Sequence, residues 1–81
     1  MTDAELLAQI KELGDYRDVR LLDDGSIIAT GELMFTRAIY MDVTQDGWGR
    51  RFCFKDKPLA DKEFQRLSNE DMEPSGWIAR R

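Results

Sequence analysis

The spacing of apolar residues changes several times along the chain, and each change marks an element. Leu6, Leu7, Ile10 and Leu13 recur at intervals of three and four, which places them in one stripe along a helix. Thr2 and Glu5 have the Thr-x-x-Glu spacing in which each side chain satisfies the other's unpaired backbone N–H. Gly14 follows, a residue that takes the left-handed conformation at a helix end without steric cost. A first helix over 3–13 is predicted. Tyr16, Val19, Leu21 and Leu22 then lead into Asp23-Asp24-Gly25, with Ile27, Ile28 and Ala29 beyond it, the pattern of a hairpin. A two-residue loop at Asp24-Gly25 would pair Leu21 with Ile28. A three-residue loop closed by a glycine bulge would pair Leu21 with Ile27.

A second hairpin is predicted around Asp46-Gly47, a dipeptide suited to a two-residue turn. With that loop, Met41 faces Phe52 and Ile39 faces Phe54, so four large apolar side chains share a face with Val43. On the other face Asp42 lies opposite Arg51, and Tyr40 opposite Cys53. A slip of one residue would turn the apolar set out of the core. Pro58 suits the first turn of a helix, and Leu59, Ala60, Phe64 and Leu67 form its stripe, predicting a second helix over 58–70. Glu73-Pro74-Ser75-Gly76 ends it. Trp77-Ile78 is too apolar to stay loose, so the tail is expected to fold back over the core rim or add a short edge strand.

Helix, hairpin, hairpin, helix is the order of an α+β domain. The expected architecture is a single domain over 1–81: a four-stranded antiparallel β-meander with the N-terminal and C-terminal helices packed on one face, the face of Ile39, Met41, Phe52 and Phe54. The opposite face would present Thr36, Tyr40, Asp42, Gly49, Arg51, Cys53 and Lys55.

Composition narrows the chemistry. Among 81 residues there are 12 Lys or Arg, 16 Asp or Glu, one Cys and no His. An 81-residue chain buries only about 60% of its unfolded surface, so its core is thin. With one cysteine there is no internal disulfide, and without histidine there is neither a histidine metal site nor a histidine general base. No apolar run reaches the roughly 20 residues of a membrane span, and the acidic amphipathic opening differs from a signal peptide. A soluble, cytoplasmic protein is expected, with no membrane partner. Residues 1–36 carry a net charge of −5, residues 37–57 a net +2, and the whole chain −4, a balance that keeps a small domain soluble and repels nucleic acid at long range.

Candidate active groups are few. Cys53 sits on a strand with no imidazole to activate it, and Ser26, Ser68 and Ser75 lack a base for the same reason. Asp23-Asp24 and Glu70-Asp71 are adjacent carboxylates, which a glycine turn and a solvated helix end explain. Asp42 and Asp46 supply too few oxygens for a divalent cation. Neither a P-loop nor a dinucleotide fingerprint is present. No catalytic, cofactor or metal residue is assigned, and the chain is read as a non-enzyme. The arrangement with functional content is aromatic residues beside arginines: Tyr40, Trp48, Arg50 and Arg51, with Arg37 on the partner strand. Tyrosine, tryptophan and arginine are enriched at protein-interface hot spots, and the same groups can stack bases and hold phosphate. The ordinary structural reading has Trp48 anchoring the hairpin end while the arginines pair with Asp42 and Asp56.

The run GELMFTRAIYMDVTQDGWGRRFCF, a helix, and then MEPSGWIARR resembles a group of short uncharacterised bacterial proteins often encoded in phage or prophage regions. The likeness covers 31–81 and rests on Phe52-Cys53-Phe54 and on the proline turn into Gly76-Trp77-Ile78. It implies no activity. The function expected is a small binding or protein-interaction module, self-associating as a homodimer through Tyr40, Trp48, Arg50 and Arg51. Two alternatives are a nucleic-acid-contacting accessory module and an acidic inhibitor of a nucleic-acid-binding protein, the latter using Asp15, Asp18, Asp23 and Asp24.

Overall fold

The computed structural model describes residues 3–14, 16–33, 35–69 and 72–80. Its elements run α1 (Asp3–Leu13), β1 (Asp18–Leu21), β2 (Ile27–Glu32), β3 (Arg37–Met41), β4 (Arg50–Phe54), α2 (Lys57–Arg66) and β5 (Ala79–Arg80). The first four strands form the antiparallel meander that the sequence predicts, and β5 adds a two-residue edge beside β4. The tail therefore does both things expected of it, because the Trp77 ring also packs on Phe52 with centroids 5.8 Å apart. Helix α1 spans the predicted residues, and the Gly14 N–H donates to the Lys11 carbonyl. The expected capping partner Thr2 lies outside the described residues.

The first hairpin takes the three-residue closure. Leu21 pairs with Ile27, the Gly25 N–H donates to the Leu22 carbonyl, and Gly25 has φ +86°, a conformation that a side chain would strain. Asp24 supports the loop by accepting from the Ser26 N–H and hydroxyl.

The second hairpin corrects the predicted register. Ile39 pairs with Phe52 and Tyr40 with Arg51, two residues away from the expected pairing. The loop is Gln45-Asp46, closed by a Thr44–Gly47 bridge. The Thr44 hydroxyl accepts from the Asp46 N–H, a local bond that starts the turn one residue earlier than the Asp-Gly dipeptide suggests. Since the slip is even, the four large apolar residues keep their common face. Val43 leaves it: Asp42 has φ +58°, which breaks the alternation and sends Val43 to the opposite core.

The two helices occupy opposite faces, not the single face expected. One core joins Leu22, Ile28, Ile39, Met41, Phe52 and Phe54 to Ala60, Phe64 and Leu67 of the α2 segment. The other joins Ile10, Leu6 and Leu7 of α1 to Ile27, Ala29, Val43, Val19, Leu21 and Tyr40. Alternate residues of β2 serve different helices, Ile28 turning to α2 and Ile27 and Ala29 to α1. Among the described residues no helix is long and apolar enough to cross a membrane.

Candidate interaction surface

The α1 face carries the aromatic residues and one of the arginines singled out in the sequence. Tyr40 on β3 and Arg51 on β4 are cross-strand partners, so both project from the same side of the sheet. Trp48 lies between the hairpin tip and β4. The Tyr40 and Trp48 rings are 5.3 Å apart between centroids, tilted by 49°, and the Arg51 guanidinium carbon sits 5.4 Å from the centroid of Trp48, within cation–π range. On the far side of Tyr40 stands Tyr16, from the α1–β1 connection, at 5.4 Å. The four groups form a continuous strip: Tyr16, Tyr40, Trp48, Arg51. Tyr40 reaches this position because Gly31 lies beneath it; a Cβ at Gly31 would meet the ring at 2.8 Å.

Arg51 differs from the other arginines whose side chains are described. No ion pair or side-chain hydrogen bond holds it among the described residues, and its Nε is buried with no partner there. Trp48 beside it is 38% exposed.

Arg50 does not join the strip. Alternation along β4 turns it to the α2 side, where its Nε donates to an Asp42 carboxylate oxygen at 2.9 Å. Asp42 thus pairs with Arg50 and not with Arg51, a consequence of the shifted register and of its positive φ, and Gly49 leaves the room it needs. Arg37 is also absent from the strip. It is 9% exposed, turned under α2, and donates to the carboxylates of Glu32 and Asp61. Glu32 is itself held below the ordinary carboxylate range by these bonds from Arg37 and then by Lys57. Asp56, the other carboxylate expected to meet an arginine, caps α2 by accepting from the Leu59 N–H.

The remaining candidates have structural roles or lie elsewhere. Cys53 is buried. The Asp23 N–H donates to the Ser68 carbonyl. Glu70-Asp71 and Asp15 fall outside the described residues. Asp18 lies 3.7 Å from Arg17. Among the described residues no group of three or more cysteines, histidines or carboxylates is gathered as a metal would require.

Three important side chains escape the sequence reading. Tyr16 joins the strip from a connection that carries no periodic signal. Arg20 reaches under α2, its Nη1 donating to the carbonyls of Phe64 and Leu67, each at 2.7 Å. The buried Glu63 accepts from Arg66 and from both the N–H and hydroxyl of Ser75, and these bonds, Arg66 foremost, push its carboxyl down to about 2. Alternation hints at Arg20, which stands on the other side of β1 from Val19 and Leu21. A charge in the second helix gives no comparable hint for Glu63.

No family model matches the chain, and neither a curated protein nor a solved structure matches it.

Proposed function

We propose that the protein is a non-catalytic protein-interaction module that self-associates through the strip of Tyr16, Tyr40, Trp48 and Arg51. The observation that carries this reading is Arg51 resting on a part-exposed Trp48 with no carboxylate beside it among the described residues. The other arginines whose side chains are described are held: Arg37 by two acids, Arg50 by Asp42, Arg66 by Glu63, Arg17 by Asp61, and Arg20 by two backbone carbonyls. A guanidinium left without a carboxylate on an aromatic shelf matches the composition of interface hot spots, where flat rings supply contact area at low entropic cost. Small domains ordinarily complete their burial by dimerising.

Nucleic acid suits the strip less well. A polyanion is held by several phosphate contacts at once, whereas Arg37 and Arg50 are neutralised and the chain carries −4 overall. The acidic-inhibitor reading loses strength because Asp18 neighbours Arg17 and Asp24 serves its own turn.

Sedimentation velocity tests the proposal at concentrations up to about 1 mM, where a contact of roughly 4 kcal/mol is visible. The wild type should associate as concentration rises, and Trp48→Ala should remain monomeric with its fold intact by circular dichroism. A wild type that is monomeric throughout, or a Trp48→Ala variant that associates equally well, would overturn it.

A further inference from the structure

Helix α1 packs against β1, while the strip runs from Tyr16 past Tyr40, at the edge of the α1 core, to Trp48 and Arg51 on the β3–β4 side. A two-fold axis between the helix and the strip would set the helix of each copy against the strip of the other.

The flank of α1 beside the strip has the right chemistry for this. Gln9 of α1 accepts a hydrogen bond from Gln45 in the β3–β4 loop, which fixes the side of the helix turned toward that hairpin. Glu12 and Leu13 stand three and four residues after Gln9, on the same side. Leu13 is 52% exposed and ends the stripe in which Leu6 is half-buried and Ile10 buried. Glu12 is exposed, and it has no ion pair among the described residues. One copy therefore offers an exposed carboxylate next to an exposed leucine, and a half-buried guanidinium without a carboxylate partner among the described residues next to a part-exposed tryptophan. Within a single copy Glu12 and Arg51 do not meet.

We infer that two copies dock through these surfaces with two-fold symmetry, the Glu12 carboxylate of each meeting the Arg51 guanidinium of the other while Leu13 covers Trp48. This deepens the self-association proposed above and rests on it. Two-fold symmetry makes the contact occur twice, so one exposed acid and one half-buried, unpaired base per chain give two ion pairs, each set beside an apolar contact that excludes water.

The symmetry also supplies the test. In an E12K homodimer the introduced ammonium would face Arg51 twice, and in an R51E homodimer Glu12 would face a second carboxylate twice. Mixed together, the two variants restore both attractive contacts, one as the native pair and one reversed. Sedimentation velocity should show each variant alone weakened about tenfold or more, and an equimolar mixture regaining most of the wild-type association. Thermal melts check that both variants fold, and the neutral pair E12Q and R51Q gives a second reading: each should weaken association, and mixing should recover only part of it, because one native pair is restored while the other contact stays neutral. Variants that associate like the wild type, or a mixture no stronger than its components, would overturn the Glu12–Arg51 contact. If Trp48→Ala abolished association while the charge variants did not, the strip would stand and this pairing would fall. A wild type that never associates would remove both.

Discussion

Glu63 shows how much one charged side chain can hold in place. Its carboxylate ties α2 to the segment before β5, with Arg66 also donating to the Glu73 carbonyl. The folded-state pKa of about 2 lies below the ordinary value of 4.5, so the native protein resists protonation more than the unfolded chain does. The stabilisation is complete above pH 4.5 and is lost as pH falls from there toward 2. Glu63→Gln keeps the shape and removes the charge, and should cost about 1–3 kcal/mol at neutral pH. Urea titrations between pH 7 and pH 2 should show a shallower acid loss in the variant than in the wild type. An identical pH dependence would show that the carboxylate is not the titrating group. In the sequence Glu63 is one charge among many on a polar helix surface; its partner Ser75, like the Glu73 carbonyl that Arg66 holds, comes from a turn whose path no local pattern fixes. Tyr40 and Arg51 are legible, because alternation in a strand assigns faces residue by residue.

Among elements, α2 is the best specified at its start and the least at its end. Pro58 announces the first turn, and the structure adds a cap from a residue expected to pair with an arginine, the Leu59 N–H donating to Asp56 at 3.1 Å. The helix stops at Arg66 rather than at residue 70, because Leu67 turns extended with ψ 134° and is buried in the core. The Ser68 N–H then donates to the Met72 sulfur. What closes the last turn is Arg20, reaching from β1 to two carbonyls that the helix leaves open. Arg20→Met preserves the aliphatic stem and removes the donors; the expected loss is about 1–3 kcal/mol. Amide exchange should quicken in the last turn of α2 and stay unchanged in α1, and uniform quickening through both helices would refute a local clamp. Such long-range side-chain contacts are invisible to periodicity, as is an even register slip. A period of two gives the same faces for pairings that differ by two residues, so the hairpin core is readable while its cross-strand partners are not.

At the scale of the whole molecule, the sheet acts as a partition. Ile39, Met41, Phe52 and Phe54 demand a cover, which is the reason to expect both helices on their face, yet α2 alone meets that demand. The signal for the second cover lies in β2, where Ile27, Ile28 and Ala29 are consecutive and all buried. An unbroken apolar run marks a strand covered on both faces, where alternation would mark one face in water. Two thin cores on either side of one sheet have a consequence for energetics. Ile10 belongs to the α1 core and Phe64 to the α2 core, with the sheet between them. Ile10→Val should cost about 0.5–1.5 kcal/mol, and Phe64→Leu, which also leaves a small void, a further 1–2 kcal/mol or so. Because the sites lie on opposite sides of the sheet, the double variant should lose the sum to within about 0.5 kcal/mol. Urea denaturation of the four proteins closes the cycle. A coupling well beyond that margin would mean that the sheet transmits packing strain from one face to the other, and that the two cores behave as one.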